Sequence, residues 1–329
     1  MPPPGRGAVR AACAVSLSGP FAAMGRQAAA GLRAWADARG ARLTLEDDAG
    51  DPAASARLCA ALAGGCDLLF GPYGSGPGRA VAHAMADRPE VVWNHGSAAV
   101  TGPRGRLVDV LGPARSYWRG LPAVAGGPVA LVEAPGGFGA EIAAGARDAL
   151  RAAGRAPVLD RPLRPGGADE AVAAAVAAGA EWVAGGGRMP DDLALARAAL
   201  GAGLRTALVV NGVAEAAREL GAAVTGSVGP VQWDGAPGPV PLPAGCDYPA
   251  AQALAAALVA EEALALAGSA DPGALWDAAR ALRTTTLIGP FAVDAEGRQT
   301  AHAPALVRWE AGPSGPVRRP VWRPAGGEA

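Results

Sequence analysis

Short apolar runs recur along the chain, each closed by a glycine- or serine-bearing break and followed by a stretch whose apolar positions return every three or four residues. Runs at 9–17, 43–46, 66–70 and 91–93 read as strands, with helical spacing over 24–40, from Pro52 to about Leu62, and over 79–86. The pattern restarts near Gly112-Pro113, with strands at 129–133, 181–184 and 207–210 and helices ending near Ala153, over 169–178 and over 191–200. A proline-rich crossing at 237–243 precedes a long helix at 249–267, and the tail from Pro313, rich in proline and arginine, reads as irregular chain. Strands alternating with helices at this spacing predict parallel sheets covered on both faces.

Ligands on such sheets bind beyond the carboxyl ends of the strands, where Ser18, Ser75 and Ser97 all fall. The stretch 66–85 is the most informative. A buried strand gives way to Gly71-Pro72-Tyr73-Gly74-Ser75-Gly76-Pro77-Gly78 and then to a helix, so Ser75 lies just ahead of a helix start. Free backbone N–H groups and the positive end of the helix dipole favour an anion of carboxylate size there. An ordinary ligand-free turn uses the same residue types. A nucleotide-phosphate loop is excluded because the chain contains no lysine, and the dinucleotide fingerprint G-x-G-x-x-G is not matched.

At 329 residues the chain suits two lobes, and half of it is hydrophobic. Its 29 basic and 30 acidic side chains are spread evenly, which leaves no electrostatic footprint for nucleic acid or an anionic membrane. Apolar runs are broken by Glu, Arg or Gly short of the roughly 18 residues of a membrane span. The first residues lack the basic and apolar regions of a secretory leader, so either a leader has been removed or the protein stays inside the cell. Cys13, Cys59, Cys66 and Cys246 fit no metal spacing and read as buried thiols, with a Cys59–Cys66 bridge left open. Hydrolase elbows, zinc motifs and a Schiff-base lysine are absent, so the reading is non-enzymatic, with no cofactor and no metal. His83 reads as a helix-surface residue, His302 as a loop residue and His95 as a residue at the cleft mouth.

Five stretches in fixed order carry a family likeness: Leu17-Ser-Gly-Pro-Phe-Ala-Ala-Met-Gly-Arg-Gln-Ala-Ala-Ala-Gly31, Asp47-Asp-Ala-Gly-Asp-Pro52, Gly71-Pro-Tyr-Gly-Ser75, Gly137-Phe-Gly139 and Thr286-Leu-Ile-Gly-Pro290. Through them the chain resembles the type I periplasmic binding proteins, in the branched-chain amino acid and amide receptor branch that serves ABC transporters. The resemblance implies an α/β fold of two doubly wound parallel-sheet lobes joined by three crossings, here near Arg119, Gly245 and Pro304. The N-terminal lobe would then be 1–119 plus 246–303 and the C-terminal lobe 120–245 plus 304–329, hinged to close on a small ligand.

By the same resemblance Met24 lies over the ligand, Tyr73, Gly74 and Ser75 hold its carboxylate, and Gly96, Ser97 and Ala98 complete that site. Phe138, Arg188 and Met189 face it from the second lobe. Ser97 is equally readable as a local turn hydrogen bond and Arg188 as a solvated charge. Asn211 departs from the family, because it aligns with a carboxylate that grips the ligand ammonium in amino acid receptors. Either Asp191, Glu215 or Asp234 substitutes, or the ligand is not an α-amino acid. The implied function is trapping of an amino acid, amide or related carboxylate for delivery to an ABC transporter permease, in the periplasm or at the cell surface. The alternative is a cytoplasmic amide- or amino-acid-sensing regulator on the same fold.

Overall fold

The computed structural model describes residues 7–324. The chain opens with β1 (Arg10–Val15), α1 (Ala22–Arg39), β2 (Arg42–Asp47), α2 (Pro52–Leu62), β3 (Leu68–Phe70), α3 (Ser75–Ala84), β4 (Val92–Asn94) and β5 (Leu107–Asp109). A one-turn helix α4 (Leu121–Val124) leads into β6 (Val129–Glu133), α5 (Gly137–Ala152), β7 (Leu159–Pro162), α6 (Ala168–Ala177), β8 (Trp182–Gly185), α7 (Met189–Gly201), β9 (Arg205–Leu208), α8 (Ala214–Leu220) and β10 (Val228–Val231). Then come α9 (Tyr248–Ala267), α10 (Pro272–Ala281), the short strands β11 (Thr284–Thr286) and β12 (Gly289–Phe291), and finally β13 (Ala305–Gly312) and β14 (Gly315–Trp322).

Two compact units result, one of Met1–Pro113 with Gly235–His302 and the other of Ala114–Asp234 with Ala303–Ala329. The chain therefore changes unit after Pro113, Asp234 and His302, where the sequence placed its crossings near Arg119, Gly245 and Pro304. In the first unit five strands run in the order β2-β1-β3-β4-β5, all parallel. Alternate residues of β1 serve opposite layers: Ala12 and Ala14 join Cys59 of α2 and Val81 and Met85 near α3 in one core. Phe70 of β3 meets Trp35 of α1 edge-on, with ring centroids 6.1 Å apart. The second unit holds seven strands in the order β14-β13-β10-β9-β8-β6-β7, parallel except where β13 runs antiparallel to both β10 and β14.

Two sequence readings change, and one left open is decided. The tail from Pro313 is not irregular: it turns at Gly312–Gly315 and returns as β14, and Pro316 and Pro320 are accommodated because β14 is the last strand of its sheet. Helix α9 is long and apolar enough to cross a membrane, yet most of it is buried inside the first unit, which makes it a core helix. Its Glu261, one of two adjacent glutamates in the helix, accepts a hydrogen bond from Trp35 Nε1 at 3.2 Å and pairs with Arg39 at 2.9 Å. All four cysteines are free, so no Cys59–Cys66 bridge forms.

Helices α1 and α9 approach closely because Gly31 has no side chain. A Cβ there would lie 2.1 Å from the backbone oxygen of Ala250, which cannot yield as a side chain would. Gly31→Ala raises helix propensity by up to about 1 kcal/mol, yet it is expected to destabilise the protein by about 1–3 kcal/mol through overpacking. Urea unfolding of the two proteins measures the difference, and an unchanged or higher midpoint would contradict the close packing.

Candidate functional site

In each unit the strand order reverses once beside the first strand of the parallel run, and loops leaving adjacent strands diverge there. In the first unit this point lies between β1 and β3, so residues 16–21 and 71–74 flank it. In the second it lies between β6 and β8, flanked by residues 134–136 and 186–188.

In the first unit helix α3 begins at Ser75 rather than at Arg79, because Pro77 fills a first-turn position where its missing N–H breaks no helical hydrogen bond. Gly74 turns the chain into the helix at φ 101°, a left-handed value that favours glycine. Its carbonyl accepts from Gly78 N at 2.9 Å and from Ser97 Oγ at 2.7 Å. Ser97 is thus a brace between two loops, not a hydrogen bond local to its own turn, and its hydroxyl proton is engaged within the protein. Behind it Asn94 Oδ1 accepts from the N–H groups of Ser97 at 3.0 Å and Gly96 at 3.3 Å. Asn94 Nδ2 donates to the Ser97 carbonyl and to Asp109, both at 2.7 Å. Asp109 in turn pairs with the largely buried Arg104 at 2.6 Å, while burial still raises its pKa.

What remains open at this edge is the hydroxyl of Ser75, which has no partner among the described residues, with the first-turn N–H groups of Ser75 and Gly76, which no carbonyl of the helix precedes. Ala98 is half-buried beside them. Rings surround this spot. Phe21 and Tyr73 stand 6.2 Å apart between centroids, the Tyr73 and Tyr248 hydroxyls share a short hydrogen bond, and Tyr248 Oη approaches the sulfur of the buried Met24 at 4.0 Å. Phe21 and Tyr248 were not marked by the sequence. The Asp247-Tyr248-Pro249 helix start was readable as a cap, but its contact with Tyr73 spans 175 positions and left no local signal.

His95 is not at a mouth. It is fully buried, its pKa is pushed down to about 4 by desolvation, and Nε2 lies 3.9 Å from Cys13 Sγ. His302 is likewise buried, with its pKa lowered to about 4.

In the second unit half-buried Phe138, in the first turn of α5, meets Tyr117 edge-on with centroids 5.9 Å apart, and Gln232 Nε2 donates to Tyr117 Oη at 3.0 Å. Arg188 occupies the N-cap position of α7 without a side-chain cap bond, its side chain 77% exposed and paired to Asp191 at 2.9 Å, and Met189 follows half-buried. Asn211 is fully buried. Its Nδ2 donates to Thr206 Oγ1 at 3.0 Å and to the Val228 carbonyl at 3.2 Å. Strand β9 ends at Leu208 and a 3-10 turn over Val209–Gly212 folds Asn211 back onto the sheet, so its amide is not presented at the edge.

The loop after β8 is held to the end of β9 by Asp192, which is 2% exposed and accepts from Val210 N at 3.1 Å and from the Gly187 amide. Burial pushes its pKa up to about 7. A carboxyl whose folded pKa exceeds its ordinary value stabilises most below that ordinary value, and the contribution is lost as pH rises through about 7. Asp192→Asn cannot ionise. Its stability relative to the parent is therefore expected to improve between pH 5 and 8, by at most about 1.4 kcal/mol per pH unit. Chemical unfolding across that range measures this, and a pH-independent difference would refute it.

Among curated proteins no sequence matches the chain. Among solved structures, a leucine binding protein from Thermotoga maritima superposes with a TM-score of 0.80 at 16% identity, over 96% of this chain and 99% of that one. A type 1 periplasmic binding protein from Bordetella pertussis gives 0.79 at 17%, over 96% and 100%. A solute-binding protein from Rhodopseudomonas palustris in complex with 4-hydroxybenzoate gives 0.79 at 16%, over 96% of each chain. These establish the shared fold. Residues 8–314 match the sequence profile of the family described as periplasmic binding protein, and the chain belongs to that family.

Proposed function

We propose that this is a non-enzymatic solute-binding protein whose ligand is a small carboxylate with an apolar body, taken up by the edge of Ser75, Tyr73, Gly74 and Met24 in the first unit, with Gly96, Ser97 and Ala98 as its support. The observation that carries the reading is the Ser75 hydroxyl at the start of α3, without a partner among the described residues and among first-turn N–H groups, bordered by rings and a thioether. In the second unit Arg188 is paired to Asp191, and Asn211 supports its loop from within.

The structural neighbours support this choice of chemistry. One is named for leucine and two were solved with 4-hydroxybenzoate or benzoate, and the common element is a carboxylate on an apolar body. Delivery to an ABC transporter permease, from the periplasm or the cell surface, follows as part of the proposal. One observation favours a cytoplasmic sensor instead: the four cysteines are all free, as suits a reducing compartment. Fractionation of cells expressing the natural gene product separates the two readings.

Calorimetry with benzoate, 4-hydroxybenzoate and leucine tests the site. At least one is expected to bind, and Ser75→Ala is expected to weaken it by about 1–3 kcal/mol, the cost of an unsatisfied charged acceptor. Undiminished affinity in Ser75→Ala would overturn the assignment.

A further inference from the structure

We infer that the ligand carries a carboxylate but no ammonium group, a refinement that rests on the carboxylate reading above. A bound α-amino acid brings a cation that must leave water, and without an opposite charge that transfer is strongly unfavourable. An amino acid site therefore needs a carboxylate whose charge is not already engaged within the protein.

At the first unit's strand ends, the aspartates hold their own backbone. Asp47 accepts from Leu17 N at 2.9 Å, Ser18 N at 3.2 Å, Ser18 Oγ at 2.7 Å and Ala49 N at 2.9 Å. Asp48 is buried and accepts from Ser16 and Ser55, both at 2.7 Å, and from Gly50 N at 2.8 Å. Asp51 and Asp247 cap α2 and α9, and Asp109 faces Arg104.

At the second unit's strand ends, among the described residues, Glu133 pairs with Arg147, Asp191 with Arg188, Glu215 with Arg218, and Asp234 with Arg323. Asp192 is buried with its oxygens on backbone amides. Asn211, at the place the family resemblance gives to an ammonium-binding acid, is neutral and turned inward. The candidates to replace it, Asp191, Glu215 and Asp234, are all among the paired acids. What the edges offer instead is hydroxyls, amides and rings, complementary to an anion on an apolar body.

Pairs of acids that differ only by the amine isolate this feature. Calorimetry at neutral pH compares leucine with 4-methylpentanoate and phenylalanine with 3-phenylpropanoate, on the parent and on Ser75→Ala. The amine-free acid is expected to bind at least about ten-fold more tightly, as one lost or gained charge interaction of ordinary size implies, with Ser75→Ala weakening it. An amino acid that binds as tightly as its amine-free partner, or more tightly, overturns the inference and leaves the carboxylate reading standing. Failure of all four acids and of benzoate to bind overturns that reading, and the inference with it.

Discussion

The hydrogen bond from Ser97 Oγ to the Gly74 carbonyl ties together the loops after β3 and β4, and it exists only because Gly78 lacks a side chain. A Cβ at Gly78 would sit 2.0 Å from the serine oxygen. With that carbonyl fixed between Ser97 and the Gly78 amide, α3 starts at Ser75 and no later, so the serine hydroxyl arrives within the first helical turn. Asn94, Asp109 and Arg104 extend the brace into the body of the unit, a chain of satisfied polar groups where one unmatched partner would be costly. The rigidity of the edge thus comes from groups whose hydrogen bonds are made within the protein.

How far the sequence disclosed this depended on how local each signal was. Parallel strands buried on both faces appear as continuous apolar runs, so β1, β3, β4, β6 and β8 could be read directly. Leu159–Pro162 could not, because an edge strand alternates half-buried and exposed positions and contains two charges. The switch-point loops and Ser75 were legible because a strand, glycines and a helix follow one another within a few residues. Tyr248 was not, since its role depends on a side chain 175 positions away. Asn211 shows the finer limit. A strand that ends two residues earlier than the apolar run implied, followed by a 3-10 turn, was enough to send its amide inward.

Several carboxylates in this chain serve the backbone. Asp47, Asp48, Asp51 and Asp247 each satisfy N–H groups that turns and helix starts leave without carbonyl partners. Asp47 does so thoroughly enough that its pKa falls to about 2, chiefly through the Ser18 hydroxyl. With lysine absent, arginine alone supplies the opposite charges, and its planar fork suits the paired geometry seen at Arg147, which engages Glu133 and Asp160 together.

The two prolines of β14 have a consequence for encounters between copies of the protein. An outermost strand normally offers a row of N–H and C=O groups onto which a foreign strand can zip, which is the geometry of fibril growth. Pro316 and Pro320 delete donors from that row, and Arg318 and Arg319 place like charges on it. The sheet of the second unit therefore ends on this side in a strand that makes a poor template. A protein crowded among its own copies is protected there against runaway polymerisation by the sequence of a single strand.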